Sequence, residues 1–169
     1  MSPGFLLFQA EDVMENLKVR RVRRADLPVL LGMVQALALH HGDQSVVTLG
    51  ALARDLLGRA PWARGLVASA GTKLLGYAIL APLLRAQYGQ RGMDLHHLYV
   101  VEPARGQGAG RALIAAAQAE ARDAGAAYLS VGTHPANHAA AAAYLACDFT
   151  QVPVAGLRFT MAIEPGRVG

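Results

Sequence analysis

A glycine-rich turn between a strand pattern and a helix pattern constrains this chain more than any other feature. Residues 95–101 are rich in β-branched and aromatic side chains and are followed by Pro103, which predicts a strand that ends there. Residues 111–124 are almost all strong helix formers, and Gly125 is a candidate C-cap. The turn Gly106–Gly110 therefore joins a strand to the start of a long helix.

This arrangement predicts an anion-binding site. The first turn of a helix carries unpaired N–H groups and the positive end of the helix dipole. Glycines lack a Cβ atom, so the backbone can approach a phosphate closely and can adopt positive φ. Arg105 and Arg111 add charge-assisted donors at the two ends of the turn.

Two common nucleotide-binding loops do not match these residues. No Lys follows the glycines, as a Walker loop requires, and position 111 is Arg where a dinucleotide fingerprint needs its third glycine. The residues do match Arg/Gln-x-x-Gly-x-Gly/Ala, here Arg105-x-x-Gly108-x-Gly110, after a Val-x-x-Pro strand end. In this motif the sequence resembles the GNAT superfamily of acetyl-CoA-dependent N-acetyltransferases, whose members hold the coenzyme A pyrophosphate with this loop.

The predicted order of elements is mixed α/β, and it resembles the GNAT fold: one domain with a mixed central sheet flanked by helices. The resemblance covers residues 17–163, with an N-terminal extension at 1–16 and a C-terminal tail at 164–169. The other predicted elements are a strand at 17–23, helices at 27–40 and 49–57 with Asp26 and Thr48 as N-caps, strands at 66–70 and 74–82, a polar loop at 87–92, a strand at 128–132, a helix at 138–146 and a last strand pair reaching residue 163.

Within the family, the spacing is most similar to the diamine (spermidine/spermine) and thialysine acetyltransferase branch. The strand before the loop usually reads Leu-Glu-Asp-Leu-Tyr-Val in that branch, and residues 95–100 here read Leu-His-His-Leu-Tyr-Val. His96 therefore stands where that branch has the glutamate that it uses near the amine. This departure counts against a dicationic polyamine as the acceptor.

The resemblance implies acetyl-CoA as the co-substrate and implies no metal. The backbone of Leu98, Tyr99 and Val100 would bind the pantetheine arm and donate an N–H to the thioester carbonyl. Asn137 and Tyr144, two helical turns apart on one face, would line the same arm. The residues implied at the pyrophosphate are Arg105, Gly106, Gln107, Gly108, Ala109, Gly110 and Arg111.

The same resemblance implies catalytic roles for two side chains. Tyr144 is the proposed acid, because a phenol is protonated at pH 7 and can donate to a developing thiolate. His96 is the candidate base, or else a residue that only packs in the sheet. Strand alternation predicts that His96 and His97 point to opposite faces, so at most one faces the cleft. His40 and His41 either line the acceptor pocket or form a polar helix end.

Composition narrows the class of protein further. A chain of 169 residues with 53% hydrophobic and 17% charged residues suits one folded domain. No apolar run reaches the roughly 18 residues of a membrane span, and no signal-peptide pattern begins the chain, so we expect a cytoplasmic protein without a membrane partner. The single cysteine, Cys147, excludes an internal disulfide, and no spacing of ligands predicts zinc.

The leading hypothesis is direct acetyl transfer to a primary amine of a small molecule, an amino acid or a peptide by a homodimeric enzyme. One alternative is a non-catalytic sensor that binds coenzyme A, which the missing acidic residue at position 96 favours and the presence of Tyr144 disfavours. Another is a nucleic-acid-associated protein that uses the five basic residues between Lys18 and Arg24. Apolar residues interrupt that run, so we expect a strand with solvated charges and no nucleic-acid partner.

Overall fold

The computed structural model of the chain describes residues 16–154 and 156–163. In these residues five strands form one sheet with four α-helices, and the mixed α/β order expected from the sequence is confirmed. The strands are β1 (Leu17–Arg21), β2 (Arg64–Ala70), β3 (Lys73–Arg85), β4 (Gln90–Val100) and β5 (Tyr128–Ser130); the helices are α1 (Leu27–His40), α2 (Leu49–Leu57), α3 (Ala109–Asp123) and α4 (His138–Leu145).

The sheet has the strand order β1-β2-β3-β4-β5. The pairs β1–β2, β2–β3 and β3–β4 are antiparallel, and β5 runs parallel to β4. The parallel pairing is short, because only Gly92–Asp94 of β4 pairs with Tyr128–Ser130. Among the described strands, none pairs with β4 on the β5 side beyond Asp94, so the backbone of residues 95–100 is open on that side.

The main core lies between the sheet and the helices α1 and α2. Tyr77, Leu30 and Val67 have no solvent exposure there, and the apolar residues of α1 recur at helical spacing toward them. Helix α3 packs against the strands on the other face with its own apolar side, which includes Leu113 and Ala117. The sheet is therefore covered on both faces, as its nearly continuous apolar strands require.

The half-buried carboxylate of Glu120 ties two strands to α3. Both oxygens of Glu120 accept hydrogen bonds from Arg21, at 2.7 and 2.8 Å, and Arg64 donates to one of them at 3.0 Å. The hydrogen bond from Arg21 is the larger cause, and that from Arg64 a smaller one, of the lowered pKa of Glu120. Arg21 belongs to the basic run at residues 18–24, so part of that run is committed to an internal contact.

The two predicted helix caps behave differently. Thr48 caps α2 as expected, because its Oγ1 accepts from the N–H of Ala51 at 3.1 Å. Asp26 occupies the predicted N-cap position of α1, but its side chain makes no capping hydrogen bond to that helix. Its carboxylate instead accepts two hydrogen bonds from Arg20, at 2.6 and 2.9 Å, and one from the N–H of Arg23 at 2.7 Å. The ion pair with Arg20 stabilises that buried carboxylate more than a capping hydrogen bond would, because Arg20 is charged.

The hairpin of β3 and β4 is longer than its sequence indicates. Pairing continues to Arg85 opposite Gln90, so the predicted polar loop at 87–92 lies partly within β4. A short 3-10 turn at Ala86–Tyr88 and the positive φ of Gly89 close the hairpin. Polar side chains can occupy strand positions when the partner strand supplies the backbone hydrogen bonds.

The chain divides into two compact units, one ending at His134 and one beginning at Pro135. The second contains α4. The predicted last strand pair is not seen in the described residues 150–154 and 156–163, which contain no strand, and the alternating apolar side chains of Leu157, Phe159 and Met161 are exposed there. Alternation alone does not make a strand, because the backbone also needs a hydrogen-bonding partner. Within the described residues, no helix is long and apolar enough to cross a membrane.

Candidate functional site

The glycine-rich turn connects the end of β4 to the start of α3. A 3-10 turn at Glu102–Ala104 follows β4, and then Gly106 and Gly108 adopt φ values of 73° and 89°. A Cβ atom placed on Gly106 would meet nothing within 4 Å. Glycine is therefore needed at position 106 for its backbone conformation, since left-handed φ is costly for other residues.

The turn presents a run of backbone donors. In the described part of the chain, no backbone carbonyl accepts a hydrogen bond from the N–H groups of Gly106–Arg111, and the first bond of the helix runs from Ala112 to the carbonyl of Gly108 at 2.9 Å. These N–H groups lie at the positive end of a helix of 15 residues. The geometry fits an anion such as a pyrophosphate.

Side chains around the turn are held by the backbone that they flank. Arg105 donates from Nε to the carbonyl of Val100 at 2.9 Å, and its guanidinium lies 5.8 Å from the ring centre of Tyr99. Gln107 donates from Nε2 to the carbonyl of Pro103 at 3.0 Å. Arg105 is therefore positioned by one nitrogen, and the rest of its exposed guanidinium remains available for an anion.

A β-bulge in β4 changes the direction of a predicted site residue. Ile79 of β3 pairs with His97 and Leu80 pairs with Leu95, so His96 is an extra residue in β4. The rings of His96 and His97 are stacked, with centroids 4.7 Å apart and planes at 11°. The prediction that alternation sends these two side chains to opposite faces was wrong, because alternation holds only along a regular strand.

His97 was not among the predicted site residues, yet it is the most strongly perturbed histidine described. Its Nδ1 lies 3.1 Å from the hydroxyl of Tyr77, which is completely buried. Burial, followed by the charges of His96 and His41, lowers the pKa of His97 to about 4. Its imidazole is therefore neutral at pH 7. The sequence signal that could have revealed it is the doubled His in a strand, which a bulge can turn to one side.

His41, at the end of α1, is the smallest of the causes that lower the pKa of His97. The rings of His40 and His41 are 5.8 Å apart. We call His40, His41, His96 and His97 the histidine cluster. It consists of two ring pairs, one at the end of α1 and one on β4.

His96 is the most exposed member of the pair on β4, with 61% of its side chain accessible. Its Nδ1 lies 3.7 Å from Oδ2 of Asp94. That distance is too long for a hydrogen bond but suits an ion pair when the imidazole carries a proton. The ring of His96 is therefore accessible to solvent and has a carboxylate beside it.

Asn137 and Tyr144 lie in the unit that begins at Pro135. Asn137 caps α4, since its side chain accepts from the N–H of Ala140 at 3.1 Å. Tyr144 is half-buried against the edge of Phe149, with ring centres 5.7 Å apart, and burial raises its pKa. The Tyr144 hydroxyl is therefore protonated at neutral pH. Asp148 adopts a φ of 65°, a conformation that Asp tolerates better than most residues.

Metal ligands are not grouped in the part of the chain that the structure describes. No set of three or more His, Cys, Asp or Glu side chains there could hold a metal ion, and the histidine cluster is no exception. Cys147 is half-buried and is a free thiol.

Comparison with known proteins identifies the family. Residues 30–149 match the model of the Acetyltransferase (GNAT) family. No curated protein sequence matches the chain.

Solved structures share the fold. An aminoglycoside acetyltransferase from an uncultured soil metagenomic sample, in complex with sisomicin, is similar with a TM-score of 0.75 at 18% identity, covering 89% of this chain and 99% of that one. The same enzyme in complex with trehalose gives 0.74 at 18%, covering 88% and 98%. A structure described as a probable acetyltransferase gives 0.74 at 21%, covering 87% and 99%. The family model spans well over half of the sequence, and this chain therefore belongs to the GNAT acetyltransferase family.

Proposed function

We propose that this protein is an acetyl-CoA-dependent N-acetyltransferase that moves an acetyl group directly to a primary amine of a small molecule, an amino acid or a peptide. The observation that carries the proposal is the run of unpaired N–H groups at Gly106–Arg111, at the start of α3. An anion with several oxygens can accept hydrogen bonds from these donors together. The pyrophosphate of coenzyme A is such an anion.

Two further features support coenzyme A as the ligand. Arg105 and Arg111 are exposed at the two ends of the donor run and can bind phosphate oxygens. The open side of β4 offers the backbone of Leu98, Tyr99 and Val100 to an extended, amide-containing ligand such as the pantetheine arm. Gly106, Gln107, Gly108, Ala109 and Gly110 make up the turn itself. Asn137 is proposed, by family resemblance, to contact the pantetheine arm.

The proposed reaction needs one proton acceptor and one proton donor. The amine must lose its ammonium proton before its lone pair attacks the thioester carbonyl, and His96 is the proposed base. The C–S bond then breaks, and Tyr144 is proposed to donate its proton to the leaving thiolate. Burial supports this role, because it keeps the phenol in its protonated form.

The acceptor is proposed as a primary amine without a finer identity. His40, His41 and His96 are the proposed acceptor-side residues. His40 and His41 lie side by side at the end of α1, and His96 lies on β4 beside His97. The aminoglycoside acetyltransferase shares the fold at 18% identity and acts on amine-bearing sugars by its description, which is in line with an amine acceptor. By the spacing of its motifs the chain is proposed to be most similar to the diamine and thialysine branch, and the imidazole of His96 counts against a dicationic polyamine as the acceptor. A homodimer and a cytoplasmic location complete the proposal, from family resemblance and composition.

The test is release of free thiol from acetyl-CoA with a panel of polyamines, amino acids, lysine analogues, peptides and aminoglycosides. Release that depends on an amine and is lost in Tyr144→Phe is the expected result. If acetyl-CoA raises the melting temperature and yet no amine is acetylated, the sensor without catalysis is the better reading. Failure to bind acetyl-CoA at all would overturn the proposal.

Nucleic-acid binding is disfavoured by specific contacts. Arg20 pairs with Asp26, and Arg21 pairs with Glu120, so two of the basic residues between Lys18 and Arg24 are neutralised within the fold. A strong nucleic-acid footprint needs several free cations on one face. Salt-dependent retention on immobilised DNA would contradict this conclusion.

A further inference from the structure

We infer that Asp94, His97 and Tyr77 are positioning residues that hold His96, so that the acceptor amine loses its proton to Nε2 of His96. The inference rests on the proposed function and specifies how its base is built. Each of the three residues acts through His96 and is not proposed to touch the acceptor.

The bulge at His96 in β4 is the first feature that holds the His96 ring. In a regular strand His96 and His97 would point to opposite faces, but the extra residue at position 96 brings both rings to one side. The separation of 4.7 Å and the small angle between the planes give a parallel stack. The ring of His97 therefore limits the orientations that the more exposed ring of His96 can adopt.

Tyr77 holds the ring of His97, the less exposed of the two stacked rings. Its hydroxyl is within 3.1 Å of Nδ1 of His97, and its own ring is fully buried in the core beneath α1 and α2. A ring held by the core on β3 is a rigid support, because buried side chains have few alternative rotamers. His97 is thus held in place by the core, and it in turn restricts the ring of the exposed His96.

The neutral state of His97 also matters for His96. The groups that face His97 are Tyr77 from β3, His96 from β4 and His41 from the end of α1. Burial, the largest cause, keeps His97 uncharged at neutral pH. A charged ring at this position would repel the imidazolium that forms when His96 takes a proton. The neutral ring adds no such repulsion.

Asp94 selects the ring nitrogen that reacts. Its Oδ2 is 3.7 Å from Nδ1 of His96, so the carboxylate favours a proton on Nδ1 and leaves the lone pair on Nε2. In the transfer, an N–H bond of the ammonium breaks and its electron pair stays on the amine nitrogen. A new N–H bond forms at Nε2, and the resulting imidazolium is stabilised by the carboxylate until solvent removes the proton.

The test is kcat/KM at pH 7 for an accepted amine in the whole protein. Asp94→Asn should lower kcat/KM by about three- to tenfold, because the imidazolium formed at His96 during the transfer loses the carboxylate beside it, and the exposure of the pair limits the effect. If Asp94 contributed only to stability, the variant would have a lower melting temperature and an unchanged kcat/KM. Asp55→Asn is the matched control, since it removes an exposed carboxylate on α2 that pairs with Arg54. That variant should leave kcat/KM unchanged.

Tyr77→Phe tests the support. The ring is kept and only the hydroxyl beside His97 is lost, so the expected result is a kcat about three- to tenfold lower with an unchanged KM for acetyl-CoA. A purely structural role would lower the melting temperature and leave kcat at saturation unchanged. In His96→Ala, added imidazole should restore part of the lost rate.

The outcomes separate the inference from the proposed function. If the wild type acetylates an amine while Asp94→Asn keeps the wild-type kcat/KM and Tyr77→Phe keeps the wild-type kcat, the inference fails and the transferase stands. If the wild type acetylates nothing in the panel, the proposed function fails, and the inference falls with it.

Discussion

The hydroxyl of Tyr77 lies 3.1 Å from Nδ1 of His97, and this contact joins a fully buried phenol to a mostly buried imidazole. Burial raises the pKa of Tyr77 and lowers that of His97 to about 4, so both groups are neutral over the physiological range. The pair is polar but uncharged. The pair can therefore lie against the apolar core, because the hydrogen bond between the two groups offsets most of the free energy of removing them from water.

We predict that acid destabilises the fold through His97. An ordinary His has a pKa of about 6.5, so between about pH 6.5 and pH 4 the unfolded chain binds a proton that the folded chain does not. The free energy of unfolding therefore decreases as the pH decreases over this range. The upper limit of the slope is about 1.4 kcal/mol per pH unit, and the partial solvation of the ring makes the actual slope smaller. Urea unfolding at pH 7, 6 and 5 measures this slope. His97→Gln should show a shallower slope, and equal slopes would contradict the prediction.

A second prediction concerns the glycine turn. Gly106→Ala should weaken acetyl-CoA binding several-fold, because a left-handed backbone costs an L-residue about 1–2 kcal/mol and relaxation would misalign the N–H donors. Gly71→Ala is the matched control: Gly71 has a φ of 58°, also with nothing within 4 Å of its Cβ position, and lies in the β2–β3 turn. Both variants should lose similar stability. Isothermal titration should show weaker binding only for Gly106→Ala.

A third prediction concerns Tyr144. Removing its hydroxyl in Tyr144→Phe should lower kcat by about 10² to 10⁴ and leave the affinity for acetyl-CoA close to that of the wild type. The ring still packs against Phe149, so stability should change little. Steady-state kinetics and direct binding, measured on the same preparation, test the two halves. Equal turnover in the variant would remove Tyr144 as the acid.

A fourth prediction concerns Asp26. Asp26→Asn should reduce the free energy of unfolding by about 2 kcal/mol, since the guanidinium of Arg20 would lose a buried charged partner. The hydrogen bonds from Arg20 are the main reason that the pKa of Asp26 is lowered. The stabilisation is thus present above the ordinary pKa of Asp and is lost as pH falls through the lowered value.

Denaturant unfolding at pH 7 and at pH 3 tests this fourth prediction. The difference between the variant and the wild type should be smaller at pH 3 than at pH 7, because the stabilisation that comes from the lowered pKa of Asp26 decreases below the ordinary pKa of Asp. Asp55→Asn should have little effect at either pH, because its partner Arg54 is exposed. A large effect of Asp55→Asn would mean that exposed pairs matter more in this fold than we expect.

The features predicted correctly from sequence depend on neighbours along the chain. The positive φ of Gly106 and Gly108, and the cap formed by Thr48, are set by the residue itself and by the few residues after it. The spacing of the turn also places it directly before α3. Local chemistry was sufficient in each case.

The features that the sequence did not reveal depend on residues of another element. The bulge at His96 follows from the register of β4 against β3, which the doubled His does not specify by itself. Asp26 takes the N-cap position of α1, yet Arg20 on β1, six positions earlier, pairs with its carboxylate. Strand alternation and capping rules consider one element at a time, and at these two positions a residue of another element decides the outcome.

The contacts of Glu120 have a consequence for how the protein folds and unfolds. Arg21 and Arg64 are separated from Glu120 by 99 and 56 positions, so their ion pairs can form only after β1, β2 and α3 have come together. Such distant contacts form late in folding, because closing a long segment of chain loses entropy before the contact contributes any favourable free energy. Glu120 should therefore act mainly on the rate of unfolding: in Glu120→Gln the native state would open faster while refolding keeps nearly its wild-type speed. The carboxylate thus contributes most to how long an assembled molecule survives.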